Sequence, residues 1–297
     1  MQLSNATKSR AGRPLSVEHG RIIADGRERS YTAVFPAVLS PARALLIVLH
    51  GSNQSGEKVR AFSGYGFDEI AATGEAVVVY PDAYKGLWND ARTGALSAAR
   101  REGVDDIAFI HTLIAHFQQA HTTERVFVAG YSNGGQLAIR LAHELPDRLA
   151  GVALIGATQP TPDNLTVADQ HGELPVLLMH GTRDPLVPYA GGMASLWGFR
   201  PRGTGLSAPE SAAYFARRNG ITTPSTTETL PHHPDSGNTA VTVTRFVQAG
   251  KPPVVLYTIE NGGHVIPNSR KNALFILGKT THDIEAAEAI WAFFRSV

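Results

Sequence analysis

Seven short apolar runs constrain the fold of this chain more than any other feature: Ser30–Phe35, Ala44–Leu49, Ala76–Tyr80, Arg125–Ala129, Gly151–Ile155, Val176–His180 and Val254–Ile259. Most are continuous rather than alternating, as in strands buried on both faces, and that points to the centre of a parallel sheet. Parallel neighbours need crossovers, and the sequence between the runs supplies helices. Asp105–His121 carries Ile107, Ile110, Leu113, Ile114 and Phe117 at helical spacing, with Asp105 and Asp106 where the helix dipole favours acids. Asn133–Glu144, Glu210–Arg218 and Ile284–Phe294 are the other expected helices. The alternation predicts one α/β domain, doubly wound, with a mostly parallel central sheet and helices on both faces.

Residues 21–297 are expected to form that domain behind a polar, flexible N-terminal segment, residues 1–20. Two stretches break the pattern: 191–207, rich in Gly and Arg with Trp197 and Phe199 embedded, and 221–238, rich in Thr, Pro and His. They read either as ordinary long loops or as insertions near the carboxyl edge of the sheet, where such folds bind ligands. Lys+Arg 27 against Asp+Glu 26 leaves a net charge of +1 with no basic block, so neither nucleic acid nor a membrane surface is an expected partner. Cysteine is absent, which removes disulfides, thiolate metal sites and cysteine nucleophiles together. The N-terminus lacks the apolar core of a signal peptide, and no run reaches the ~18 apolar residues of a membrane span. The chain thus reads as cytoplasmic, or as a secreted protein already relieved of its leader.

The most specific local signal is Gly130-Tyr-Ser-Asn-Gly134, set between the strand-like Val126–Val128 and the helix-spaced Leu137, Ile139 and Leu141. A G-x-S-x-G in that context makes a nucleophile elbow. The serine sits on a sharp, strained turn, so its neighbours must lack bulk; Gly130 and Gly134 supply the clearance, and the helix N-terminus favours developing negative charge. Ser132 is the candidate nucleophile.

A serine hydroxyl needs a base, and the base an orienting acid. With this elbow the chain order is Ser, Asp or Glu, His. Asp184 lies just past the run Val176–His180, whereas Asp163, Asp169 and Asp235 lie in polar, turn-like stretches with no strand leading into them. Of twelve histidines, His111, His116, His121 and His143 fall within helices and His19 in the polar leader. The pair His232-His233 lacks a carboxylate or third histidine at a ligand spacing and reads as solvated, so no metal site is expected. His264 follows Val254–Ile259 through the turn Glu260-Asn-Gly-Gly263 and is the candidate general base. The expected oxyanion donors are the backbone N–H groups of Asn133 and of Ser52, in the loop after Leu45–Leu49, with His50 bracing that loop.

Several blocks in order carry a family resemblance: Leu49-His-Gly-Ser-Asn-Gln-Ser-Gly56, Tyr80-Pro-Asp82, Trp88-Asn-Asp90, Val104-Asp-Asp-Ile-Ala-Phe-Ile110, Gly130-Tyr-Ser-Asn-Gly-Gly135, His180-Gly-Thr-Arg-Asp-Pro-Leu-Val-Pro-Tyr189 and Gly262-Gly-His264. Over roughly residues 28–297 the chain resembles the polyhydroxybutyrate depolymerase-like esterases, which group with the feruloyl and acetylxylan esterases of carbohydrate esterase family 1. The resemblance implies the α/β-hydrolase fold, a Ser132–Asp184–His264 triad and ester hydrolysis without a cofactor. It also implies that Trp88 and the block Val104–Ile110 lie near or brace the site. Two departures stand out: relatives often carry cysteines, and their turn after the histidine often reads Thr-Trp-Pro where this chain has Val265-Ile266-Pro267.

The reading that results is a serine carboxylesterase acting on small or oligomeric esters, short-chain, hydroxyalkanoate-oligomer or feruloyl and acetyl, with Trp88, Tyr189 and Trp197 as candidate pocket residues. A prolyl-oligopeptidase-like peptidase shares the fold and triad order, but no propeller-sized N-terminal domain is present. A hydrolase fold kept for binding would ordinarily lack the nucleophile or base, and both candidates are here. Oligomeric state is not legible.

Overall fold

The computed structural model describes residues 5–9, 12–36, 44–94, 97–121, 123–167, 169–196, 199–271 and 274–297. The strands are β1 (Asn5–Lys8), β2 (Pro14–Ala24), β3 (Arg27–Pro36), β4 (Ala44–Leu49), β5 (Ala76–Pro81), β6 (Val126–Tyr131), β7 (Gly151–Ile155), β8 (Val176–Gly181), β9 (Gly192–Leu196), β10 (Phe199–Gly205), β11 (Thr226–Thr229), β12 (Ala240–Phe246) and β13 (Val254–Glu260). Eleven of them form one sheet in the order β1-β2-β3-β5-β4-β6-β7-β8-β13-β12-β11, while β9 and β10 pair separately. The six central strands, β5 to β13 in that order, are parallel. Antiparallel strands flank them on both sides. From β4 the chain runs one way to β5 and the other way to β6, so the switch point lies between the loops that follow β4 and β6.

The continuous apolar runs are explained by the two faces they serve. In β4, Leu45, Ile47 and Leu49 enter one core and Ala44, Leu46 and Val48 the other. In β6, Val126 and Val128 face one way and Phe127, Ala129 and Tyr131 the other. Helices α1 (Gly56–Phe62), α2 (Gly66–Ala72), α3 (Ala98–Arg101), α4 (Asp106–His121), α5 (Asn133–Glu144), α6 (Ala208–Arg218) and α7 (Ala286–Arg295) supply the covering layers. Phe109, Leu113 and Phe117 of α4, Leu137 and Leu141 of α5 and Phe215 of α6 fill the first core; Phe67 of α2 and Ile290, Trp291 and Phe294 of α7 fill the second. The doubly wound architecture is as expected. No helix among the described residues is long and apolar enough to cross a membrane.

One expectation needs correction, and two readings left open are decided. Much of the leader thought flexible is sheet: β2 starts at Pro14 and pairs with β3 from Leu15 to Ala24. Its half-exposed sequence lacks the apolar density of a central strand, because it lies near the antiparallel edge. The Gly- and Arg-rich stretch is no plain loop, since β9 and β10 form a hairpin within it. The Thr-rich stretch contributes β11, a fully exposed edge strand on β12.

Candidate active site

The turn after β6 is the elbow. Ser132 adopts φ 54° and ψ −114°, a strained conformation for a residue with a side chain, and its N–H donates to Ile155 O at 2.8 Å. A Cβ on Gly130 would lie 2.3 Å from Gly134 O, and one on Gly134 would lie 2.3 Å from Leu49 O. Both positions must therefore be glycine for the strand, the turn and the loop after β4 to meet. Ser132 is the N-cap of α5, yet its side chain makes no capping bond, in contrast to Ser55, Ser97 and Ser207 at other helices. Its hydroxyl is thereby left to the cavity.

Asp184 and His264 come from the loops after β8 and β13, which are parallel neighbours. The loops touch directly: Arg183 N–H donates to Gly262 O at 2.9 Å, and a Cβ on Gly181 would lie 2.3 Å from Gly262 O. Asp184 Oδ2 lies 2.6 Å from His264 Nδ1. Asp184 Oδ1 accepts the N–H groups of Leu186 and Val187, both at 2.8 Å. Burial pushes the Asp184 carboxyl up, but the adjacent His264 charge, the hydrogen bond from that ring, His180 and the Val187 N–H together outweigh it, and its pKa is net lowered. An ionised carboxylate only accepts, so Nδ1 of His264 carries the proton and Nε2 is left as the basic nitrogen. The His264 backbone is clamped by Tyr131 Oη, which donates to its carbonyl at 2.8 Å, and by its own N–H donating to Leu277 O at 2.7 Å.

Ser132 and His264 line one cavity of about 260 Å³ with Ser52, Asn53 and Gln54 of the loop after β4. The N–H groups of Ser52 and Asn133 make no hydrogen bond among the described residues, as oxyanion donors require. Beneath them lies a buried polar scaffold. His50 Nδ1 donates to Gly51 O at 2.7 Å and its Nε2 accepts the Ala83 N–H at 3.0 Å, which defines a neutral ring bracing the loop. Burial lowers its pKa in the same sense. Asn133 Nδ2 donates to Asp90 Oδ2 at 2.6 Å, and its Oδ1 accepts the Trp88 N–H at 2.9 Å.

The sequence-based pocket residues fare differently. Trp88 is fully buried and donates its indole N–H to His50 O at 2.9 Å, so it supports the loop from behind and lines no wall. Tyr189 bonds Thr258 Oγ1 at 2.8 Å and packs edge-on against His180, behind the Asp184 loop. Trp197 lies outside the described residues. The block Val104–Ile110 is a brace: Asp106 accepts the Asn89 N–H at 2.7 Å and pairs with Arg29 at 2.7 Å, both largely buried. His232 and His233 are exposed, as expected of a solvated pair, and Asp283 accepts the His233 backbone N–H at 2.7 Å and lies 3.3 Å from His232 Nδ1. Among the described residues no three potential ligands gather as a metal site would need.

The walls that sequence reasoning missed are Leu186 and Val187, Leu277, the hairpin residues Ala194, Ser195 and Arg202, and Arg92. Leu186 and Val187 stood in plain view, two and three residues past Asp184. The hairpin had no sequence signal of its own. It is held by Ser195 N–H donating to Leu186 O at 3.0 Å and by Thr161 N–H donating to Thr204 O at 3.1 Å.

The strand order and the serine turn at its switch point place this chain in the α/β-hydrolase class. Residues 34–196, more than half of its length, match the family described as Phospholipase/Carboxylesterase, and the chain belongs to that family of carboxylic ester hydrolases. Its relatives agree. It is 28% identical over 256 residues to "Putative esterase NocK" of Nocardia uniformis subsp. tsuyamanensis, covering 83% of this chain and 73% of that one. It is 29% identical over 134 residues to the poly(3-hydroxybutyrate) depolymerase of Ralstonia pickettii, covering 42% of this chain and 27% of the relative. Among solved structures, the acetyl xylan esterase from Aspergillus awamori superposes with a TM-score of 0.58 at 14% identity, over 86% of this chain and 96% of that one. The esterase kinship read from the sequence blocks therefore holds.

Proposed function

We propose that the chain hydrolyses short-acyl carboxylic esters through an acyl-enzyme on Ser132. The observation that carries this reading is the convergence of a strained, uncapped Ser132 and an Asp184-oriented His264 on one cavity. His264 Nε2 takes the Ser132 hydroxyl proton as Oγ attacks the ester carbonyl. The Asn133 and Ser52 N–H groups hold the oxyanion, and His264 returns the proton to the leaving alcohol. Water, deprotonated by the same nitrogen, then releases the acid and restores Ser132. Asp184 stays ionised throughout and steadies the imidazolium.

The cavity is smaller than the roughly 300–1,000 Å³ of most small-molecule sites, which favours a short acyl group. The relatives named as an acetyl xylan esterase and a poly(3-hydroxybutyrate) depolymerase support acetyl and hydroxyacyl esters as the range to search, with feruloyl esters as the bulkier alternative. Parallel assays of p-nitrophenyl acetate, butyrate and octanoate test the reading. Turnover should fall with chain length, and Ser132→Ala should lose about 10³-fold or more. Undiminished activity in Ser132→Ala would remove the serine from its role.

A further inference from the structure

Two guanidinium groups line the cavity that holds Ser132, and no carboxylate lines it among the described residues. Arg92 is buried. Asp90 grips one edge of it through Nε at 3.2 Å and Nη2 at 2.6 Å, and it makes no other side-chain hydrogen bond among the described residues. A guanidinium carries five N–H donors, so this grip fixes the plane of Arg92 and leaves donors for a ligand. Arg202 reaches in from the hairpin, and its Nη1 donates to Ser52 Oγ at 2.9 Å.

The lining is mostly apolar, and a neutral ester gives the two cations set into it nothing to do. Asp90 offsets the charge of Arg92, but it also accepts from Asn133 and lies behind the cavity wall rather than on it. The cavity therefore presents guanidinium groups and, among the described residues, no carboxylate to a substrate. Each arginine is tied to a residue that offers an oxyanion donor: Arg202 to Ser52 directly, Arg92 to Asn133 through Asp90. Both arginines are thereby tied to the loops that would hold the carbonyl oxygen. The remaining walls, Leu186, Val187 and Ala194, suit the methylene groups of a short chain.

We propose that the preferred substrates are esters whose acyl group ends in a carboxylate, half-esters of short dicarboxylic acids, with Arg92 and Arg202 receiving the distal carboxylate. The proposal rests on the assignment of Ser132 as nucleophile. Guanidinium–carboxylate pairing supplies both charge and a planar geometric match.

The test compares p-nitrophenyl glutarate with its distal carboxylate ionised and with that carboxylate methylated, a pair differing chiefly in charge. The charged ester should be favoured in kcat/KM by about 10–100-fold. Arg202→Gln should bring that ratio towards one, Arg202→Lys should keep part of it, and Arg202→Glu should invert it. In a second readout that needs no turnover, glutarate should slow labelling of Ser132 by a fluorophosphonate at concentrations where glutaramide does not. A wild-type ratio of one or below, or a ratio indifferent to all three substitutions, overturns the proposal, as does equal protection by glutarate and glutaramide. Ser132→Ala separates the two failures. If it still turns over either ester, the nucleophile is misassigned; if it is inactive while the wild-type ratio is one, only the carboxylate preference falls.

Discussion

Asp184 Oδ2 and His264 Nδ1 stand 2.6 Å apart although 80 residues separate them in the chain. The contact follows from sheet register: Tyr257, Thr258 and Ile259 of β13 lie beside Met179, His180 and Gly181 of β8 in parallel, so the two strands end level and their loops emerge together. Since Asp184 Oδ1 is occupied by two backbone N–H groups, Oδ2 is the oxygen committed to the imidazole. The histidine tautomer is set by this arrangement and not by the cavity.

Asp184→Asn should therefore do more than weaken a bond. An amide can present its NH₂ to Nδ1 and stabilise the tautomer whose proton sits on Nε2, which cannot accept from Ser132. By analogy with the aspartate of other Ser-His-Asp triads, kcat for p-nitrophenyl butyrate should fall by about 10⁴-fold. Fluorophosphonate labelling should slow alongside it. A loss below tenfold would mean that Asp184 does not control the ring.

Trp88→Phe keeps most of the buried volume but deletes the indole N–H that His50 O accepts. A buried carbonyl left without its donor costs about 1–3 kcal/mol, and here it belongs to the residue that braces the loop bearing Ser52. Urea unfolding should show that loss of stability, and kcat should fall without a matching rise in KM. An unchanged urea midpoint would show that the bond contributes nothing net.

Stability should decline on mild acidification, ahead of ordinary carboxylate titration. Burial is the leading cause that lowers the pKa of His50, His143 and His180 below the usual 6.5. His50 both donates and accepts, which only the neutral ring can do, and His143 bonds Ile139 O and Tyr214 Oη through its two nitrogens. Below about pH 6.5 the unfolded chain binds protons that the folded one refuses, so stability is complete above that point and falls as pH drops. Each histidine contributes up to about 1.4 kcal/mol per pH unit while only its unfolded form is charged. Asp184 acts in the same direction further down, since its lowered pKa confers stability that is lost as pH falls through its folded value. Urea midpoints taken from pH 7.5 to 5 should drop steadily; a flat profile would contradict the buried neutral rings.

Local sequence was enough for the central sheet, the elbow and the triad candidates, because each is written in a short window. Ala44–Leu49 has one residue after another that must be buried, and only a strand covered on both faces uses them all. Ser132, Asp184 and His264 each follow such a run at a turn, and a parallel sheet delivers all its carboxyl ends to one edge. The polar antiparallel strand β2 escaped because half-exposed alternation looks much like a loop when no partner is known. The cavity walls came only from folding. A tryptophan at position 88 is equally suited to a pocket and a core, and long-range hydrogen bonds to His50 and Asn133 put it in the core. Arg92 and Arg202 meet around Ser132 because the hairpin docks on Leu186 and Thr161. Periodicity and turn chemistry act over a few residues; which loops share an edge, and which side chains they bring together, is decided by packing across the whole sheet.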